Sequence, residues 1–300
     1  MVRTGIRSFL FVLLFACIWF TDAVARDAVA VKEGILLAAF GTSVPEARQT
    51  FTEIEKSFKT QYPDAQIAWT YTSSIIRKKL AGQGVRIPGI AESLQSFSKK
   101  GVRVLRIQPL HVMGGEEYSE FERALLLAVS KHAKRFSKVY FGRPLLESRE
   151  DAYIVCEALL KRLAPKRGEG EALVLMGHGN EKGRAGLTFE GLRQVFSELD
   201  SLTILGSVEG ERGFPDILKE LRAKNVKKVL LAPFMLVAGD HARNDLAGEE
   251  ADSWLSKLKA EGYTVSVSLE GLGALPEVSA LYIRHARESS DDLTKEPKKQ

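Results

Sequence analysis

Short apolar runs alternate with longer amphipathic segments along most of this 300-residue chain. In the first half, four apolar runs have the length of buried strands, at residues 34–40, 66–71, 102–110 and 139–146. The segments between them repeat apolar residues at helical spacing, at residues 45–60, 74–80, 89–98 and 116–136. Strands that alternate with helices in this way predict parallel βαβ units.

The same alternation starts again after a helical segment at residues 149–163. Apolar runs that predict strands lie at residues 172–176, 202–208, 228–234 and 263–269. Apolar residues recur at helical spacing in residues 186–199, 214–223, 245–260 and 276–287. The sequence therefore predicts an α/β protein with two similar Rossmann-like lobes, each a parallel sheet flanked by helices.

The two halves are related by an internal duplication. Residues 104–117 read VLRIQPLHVMGGEE, and residues 229–241 read VLLAPFMLVAGDH. The alignment of the halves pairs Phe40 with His178, Gly41 with Gly179, Pro109 with Pro233, Gly115 with Gly239 and Glu117 with His241. We therefore expect an N-terminal lobe at residues 26–146 and a C-terminal lobe at residues 147–300 that face a cleft. Ligands of open α/β sheets bind at the carboxyl ends of the strands, where these glycine turns lie.

The N-terminus has the pattern of an export signal. Arg3 and Arg7 precede the apolar run 9–20, and small residues then lead to Ala25. A basic segment, a short apolar segment and a small-x-small site predict a signal peptide at residues 1–25, with cleavage after Ala30 as the second choice. The expected location of the mature protein is the periplasm. An uncleaved membrane anchor is the alternative interpretation of this segment. No later run is long and apolar enough to cross a bilayer.

Composition and charge narrow the class of ligand. Hydrophobic residues make up 45% of the chain and charged residues 27%, as in soluble globular proteins. The net charge is +5, and removal of Arg3, Arg7 and Asp22 with the signal leaves +4. That excess suits a polyanionic small molecule, whereas the absence of a dense Lys/Arg stripe argues against nucleic acid. The oligomeric state stays open, and a homo-oligomer is one of the arrangements that the sequence allows.

Two histidines stand at the ends of predicted strands in the second half. His178 lies between two glycines, and His241 follows a Val-Ala-Gly-Asp segment. Glu209 ends the predicted strand that lies between them in the chain, and it is a candidate for a third ligand. Because neutral imidazole is the commonest protein ligand of late first-row divalent metals, these three residues predict a metal site. Hydrogen-bonded loop residues are the alternative for each one alone.

Carboxylates and the other histidines have more than one interpretation. Glu117 opens a predicted helix and is the duplication partner of His241, which places it on the opposite lip of the cleft, where a carboxylate could remove protons. His111 follows a strand and is a weaker candidate for a ligand site. His132 and His285 lie among charged residues in helices, so we expect them at the surface. The sequence lacks the phosphate-binding loop and the dinucleotide-binding fingerprint.

Four segments carry a resemblance to a known family. They are FGTS at residues 40–43, PLH at 109–111 with GEEY at 115–118, MGHG at 176–179 and APFMLVAGDHARND at 232–245. Together they resemble the anaerobic cobalt chelatases of the CbiK type, which insert Co²⁺ into sirohydrochlorin and have the class II chelatase fold. The resemblance implies that His178 and His241 are the active-site histidines, that Glu117 is the active-site glutamate and that Glu209 completes the metal site. It also implies that neither ATP nor an organic cofactor is needed.

The expected function is therefore ATP-independent insertion of Co²⁺, or of Fe²⁺, into a carboxylate-rich tetrapyrrole, which is a lyase-class chelatase activity. The export signal departs from the family, whose usual member works in the cytoplasm, and it puts a role in cobalamin synthesis in doubt. Two alternatives stay open. The first is a periplasmic carrier of metal or haem that binds without turnover, and the second is a metal-dependent hydrolase with an open coordination position.

Overall fold

A computed structural model describes residues 32–179, 185–210 and 212–295 of the chain. The predicted signal peptide and both of its cleavage positions lie outside the described residues. Among the residues that the structure describes, no helix is long and apolar enough to span a bilayer.

The first sheet has four parallel strands in the order β2-β1-β3-β4. Its strands are β1 Glu33–Ala39, β2 Gln66–Tyr71, β3 Val104–Pro109 and β4 Lys138–Phe141. The helices that connect them are α1 Pro45–Gln61, α2 Ser74–Gly82, α3 Ile90–Lys99 and α4 Glu116–His132. Parallel strands need such crossovers, because the chain must return to the same end of the sheet before the next strand starts.

The second sheet repeats this topology, with the parallel order β6-β5-β7-β8. Helix α5 Arg149–Leu163 leads into it. Its strands are β5 Ala172–Gly179, β6 Thr203–Glu209, β7 Lys228–Phe234 and β8 Thr264–Val267. The helices are α6 Ala185–Leu199, α7 Phe214–Ala223, α8 Trp254–Ala260 and α9 Pro276–Glu288. Two parallel-sheet lobes with flanking helices confirm the predicted fold class, and the equivalent positions of β1 with β5 and β3 with β7 agree with the duplication.

The core explains why the two lobes stay together. One outer face of each sheet has its own apolar cluster, built around Phe97 and Phe121 in the first lobe and around Trp254 in the second. A third cluster is continuous through both lobes and includes Leu37 of β1 and Leu175 of β5, both fully buried. A fully buried leucine stabilises the fold by about 1.5–3 kcal/mol, so this shared core holds the sheets in one body.

The last helix returns to the first lobe. The hydroxyl of Tyr282 on α9 donates to the carbonyl oxygens of Leu110 at 3.0 Å and His111 at 3.3 Å, just beyond β3. Further along, the amide of Leu293 donates to the carbonyl of Val139 on β4 at 2.8 Å. The C-terminal segment therefore supports the carboxyl end and the edge of the first sheet, an arrangement that the order of elements in the chain does not reveal.

His285 is not at the surface, as the charged sequence around it suggested, but completely buried. Its Nε2 lies 3.4 Å from Oδ1 of Asp151, which is also buried and forms a capping box with Ser148 at the start of α5. Arg284 donates to the same carboxylate. The sequence of α9 does not show which helix packs against it. It therefore gives no sign that α9 and α5 share a buried ion pair.

Two predicted elements are shorter than their apolar patterns. Strand β4 ends at Phe141, five residues before the predicted end, and Pro144, which has no amide hydrogen to donate, prevents the ladder from continuing to that end. The helix predicted at 245–260 is divided into a π-helical turn at Ala242–Leu246 and α8, which begins only at Trp254. Ser253 caps α8 by accepting a hydrogen bond from the amide of Ser256, so the segment between is irregular rather than helical.

Candidate active site

The carboxyl ends of both sheets open into one cleft of 590 Å³. Its walls come from the segments that follow β1, β3, β5, β6 and β7, together with the start of α4. All four predicted site residues line it, namely Glu117, His178, Glu209 and His241. A separate part of the lining is apolar, with Phe40, Ile76, Val112, Met113, Phe189 and Leu236. The cleft thus combines a polar cluster with an apolar wall, as ligand sites for flat organic molecules do.

The two histidines meet edge to face. The ring centroids of His178 and His241 lie 4.8 Å apart, with the ring planes at 90°. Nδ1 of His178 is 3.9 Å from Oε2 of Glu209, and the side chains of all three residues are partly open to solvent. The chain thus brings together two imidazoles and one carboxylate, a donor set that suits Co²⁺, Zn²⁺ or Fe²⁺. Within the described parts of the chain, no three His, Cys, Asp or Glu side chains already stand in a geometry that could hold a metal ion.

Gly179 makes this close approach possible. Its φ is +83°, which favours glycine, and a Cβ atom at this position would lie 1.9 Å from the carbonyl oxygen of Glu209. Strand β5 pairs with β6 up to this point, where Gly179 is the register partner of Glu209. The glycine after His178 therefore sets the separation between the histidine and the carboxylate.

Glu117 approaches the cluster from the first lobe, at the start of α4. Water reaches its side chain, but the walls of the cleft desolvate the carboxyl and raise its pKa, which the nearby Glu209 and Glu120 also favour while His178 and His241 oppose it. A carboxylate with a raised pKa holds a proton more strongly than an ordinary glutamate, so Glu117 is suited to accept protons from a ligand in the cleft.

His241 has a partner that the sequence reading missed. Its Nδ1 lies 2.6 Å from Oδ2 of Asp245, four residues further along the π-helical turn. Their separation by four residues is the feature of the sequence that could have predicted this pair, since residues i and i+4 share a face of a helix. The apolar pattern predicts a longer helix that begins at Asp245, and this prediction separates Asp245 from His241.

His111 is a buried part of the cleft lining. It packs against the rings of Tyr118 and Phe121, with centroid distances of 5.8 Å to each. Neither ring nitrogen has a hydrogen-bond partner among the described residues, and burial lowers the pKa of His111 to about 4. The imidazole is therefore neutral at physiological pH and fills space between α4 and the end of β3.

Two parallel-sheet lobes with a shared cleft that carries histidines and carboxylates define a class II metal chelatase. The model of the cobalt chelatase (CbiK) family matches residues 33–291. The chain therefore belongs to this family of enzymes.

Two curated relatives agree with this assignment. The chain is 31% identical over 257 residues to the sirohydrochlorin cobaltochelatase CbiKC of Nitratidesulfovibrio vulgaris, with 85% of this chain and 89% of the relative covered. It is 30% identical over 261 residues to the sirohydrochlorin cobaltochelatase of Salmonella typhimurium, with 86% and 97% covered.

Two solved structures share the fold at lower identity. SirB from Bacillus subtilis with Fe³⁺ has a TM-score of 0.61 at 17% identity and covers 86% of this chain and 95% of its own. CbiX, the terminal enzyme for siroheme biosynthesis in denitrifying bacteria, has a TM-score of 0.53 at 19% identity, with 87% and 100% covered. At these identities both structures support the fold alone.

Proposed function

We propose that this protein inserts Co²⁺ into sirohydrochlorin in the cleft between its lobes, without ATP. The observation that carries the proposal is the pair of imidazoles, His178 and His241, whose rings lie 4.8 Å apart in the cleft of a cobalt chelatase family member. Both curated relatives are named for this reaction. The missing phosphate-binding loop in the sequence supports independence from ATP.

The residues of the site have different roles in metal insertion. His178 and His241, with Glu209, would hold Co²⁺ on one face of the macrocycle, and the apolar wall around Phe40 would support the ring. Two pyrrole N–H protons must leave for each Co²⁺ that enters, and the ring nitrogens then take over the metal from the imidazoles. Glu117, whose pKa is raised by its partial desolvation in the cleft, would accept one of the two protons, and an imidazole that has released the metal would accept the other. Proton removal and metal delivery would therefore come from different lobes.

An absorbance assay tests this function. Mature protein is mixed under anaerobic conditions with sirohydrochlorin and Co²⁺, with and without ATP, and compared with a His178→Ala/His241→Ala variant. A His132→Ala variant, which removes a histidine outside the cleft lining, is the control. We expect multiple turnovers by the parent and the control, no dependence on ATP and no enzymatic turnover by the double variant.

Other outcomes of the same assay would point to the alternatives. Tetrapyrrole or haem binding without faster metal insertion would favour a carrier. Hydrolysis of model esters or phosphates that depends on the two histidines would favour a hydrolase.

We further propose that the mature enzyme works in the periplasm. The support is the N-terminal sequence, with its two arginines, apolar run 9–20 and small residues before Ala25. Fractionation of cells that express the full chain, followed by the intact mass of the protein, tests this. A periplasmic product that begins at Arg26 or Val31 is expected, whereas a full-length cytoplasmic product would refute it.

A further inference from the structure

His241 and Asp245 form a short polar contact at the cleft. Nδ1 of His241 lies 2.6 Å from Oδ2 of Asp245. An ionised carboxylate has no proton to donate, so the hydrogen of this bond must belong to Nδ1. In the neutral ring the other nitrogen, Nε2, then carries the unshared electron pair, which is the form of imidazole that binds a metal.

The backbone around Asp245 is built to hold this contact. The π-helical turn is fixed on its inner side by Ala242 and Leu246, both completely buried. The amide of Gly248 closes the turn by donating to the carbonyl of Asn244 at 2.9 Å, and a Cβ on Gly248 would lie only 2.4 Å from that oxygen. Isolated π-helical turns are rare and occur often at functional sites, because the wide turn relocates side chains.

Among the residues that the structure describes, His178 has no comparable partner. Its Nδ1 lies 3.4 Å from the carbonyl oxygen of Gly179 and 3.9 Å from Glu209, distances at which the ring is oriented weakly. The two carboxylates beside the two imidazoles therefore differ in geometry. Glu209 stands apart from its histidine, where a metal could enter between them, whereas Asp245 is already bonded to His241.

We infer that Asp245 is a positioning residue, which holds His241 as the Nδ1–H tautomer and keeps Nε2 ready for Co²⁺. This role rests on the proposed function, because it assumes that His241 receives the metal. It adds a residue that neither ligates the metal nor touches the tetrapyrrole. Carboxylates that accept from the second nitrogen of a ligating histidine fix its tautomer and orientation, and their loss costs about 10- to 100-fold in metal affinity or activity.

The test combines a tautomer measurement with a metal titration. Histidine ¹⁵N spectra of the whole mature protein are recorded near pH 8, and the His241 signals are assigned with His241→Gln. Asp245→Ala removes the carboxylate that accepts from Nδ1, so the Nδ1–H tautomer is expected to be lost. Glu249→Ala, which removes an exposed negative charge from the same loop, is the control.

The expected result is the Nδ1–H tautomer in the parent and in Glu249→Ala, its loss in Asp245→Ala and a 10- to 100-fold weaker calorimetric affinity for Co²⁺ in Asp245→Ala only. An unchanged tautomer would overturn the inference, as would an unchanged affinity or no Co²⁺ binding by the parent. Because neither readout uses sirohydrochlorin, a parent that binds Co²⁺ with the expected tautomer but inserts none would refute the proposed function alone.

Discussion

The polar side chains of the cleft differ in how firmly the surrounding protein holds them. His241 is bonded to Asp245 at 2.6 Å, whereas the contacts of His178 within the described part of the chain are longer, at 3.4 Å and 3.9 Å. Glu117 is exposed to water at one end of its side chain but partly desolvated by the cleft. If these residues deliver a metal to a substrate, as proposed, the ligands must also release it, and one loosely held histidine beside a fixed one would suit that transfer.

Glu117→Gln separates proton removal from metal binding. The amide keeps the size of the side chain but cannot accept a proton, so we expect the turnover number for Co²⁺ insertion to fall by about 10²- to 10⁴-fold. Co²⁺ affinity, measured by calorimetry, should change little. Glu116→Gln, at the neighbouring position on the same helix, is the control and should keep most of the activity. Equal losses in the two variants would contradict the assignment of Glu117 as the base.

The raised pKa of Glu117 also sets a pH dependence of stability. A carboxyl whose pKa is higher in the folded state than in the unfolded state stabilises the fold below the unfolded value, near 4.5, and that contribution is lost as the pH rises through the folded value. At neutral pH the ionised group is therefore a small cost to folding. Thermal melts should give Glu117→Gln a Tm at pH 7 that equals or exceeds that of the parent, and a lower Tm would contradict this sign.

His111 gives folding stability the opposite pH dependence, because burial lowers the pKa of a base. The unfolded chain binds a proton near pH 6.5 and the folded one near pH 4, so the stability that depends on His111 is complete above pH 6.5 and is lost as the pH falls toward 4. The difference corresponds to about 3 kcal/mol. Urea unfolding of His111→Phe should show this loss reduced relative to the parent, and parallel pH curves for the two proteins would contradict the prediction.

At the scale of elements, the ends of the strands decide the geometry of the site. The pairing of β5 with β6 continues to Gly179 and Glu209, so it places His178 and Glu209 beside each other at the ends of adjacent strands. A side chain on Gly179 would have to move the carbonyl of Glu209, and the backbone there cannot yield without breaking the ladder.

Gly179→Ala tests this role of the strand ends. The positive φ and the 1.9 Å approach to the Glu209 oxygen predict a loss of about 1–3 kcal/mol in unfolding free energy, with a further loss of Co²⁺ affinity. Gly191→Ala on α6 is the matched control, since a Cβ there meets nothing within 4 Å. Alanine in that helix should stabilise the protein by about 0.5–1 kcal/mol. Denaturant unfolding distinguishes the two, and similar losses would contradict the argument.

The sequence was sufficient where an element depends on its own residues. Central strands such as β1 and β5 are buried on both faces, so their apolar runs predicted them, and the strand-end rule then placed His178, His241 and Glu117 on one cleft. The sequence was insufficient where contacts with a distant element determine the local structure. The turn at Ala242–Leu246 is stabilised by tertiary packing, so periodicity extended one helix across it and hid Asp245. The burial of His285 depends likewise on α5.

At the scale of the whole molecule, the last helix determines part of the first lobe. The core that runs through both lobes includes Tyr282 of α9, which is completely buried and donates to the carbonyls of Leu110 and His111. These two residues begin the segment that leads to α4 and Glu117. The cleft therefore depends on contacts between residues that lie more than 170 positions apart in the chain.

Tyr282→Phe measures this long-range support. Removal of the hydroxyl leaves the buried carbonyl of Leu110 without its side-chain donor, which should cost about 1–3 kcal/mol of unfolding free energy. Tyr62→Phe is the control, because the buried hydroxyl of Tyr62 has no hydrogen-bond partner among the described residues and its removal should be neutral or stabilising. Since the lost bond lies at the start of the segment that carries Glu117, Tyr282→Phe should also slow Co²⁺ insertion, whereas equal stability of the two variants would mean that α9 packs on the first lobe without fixing that segment.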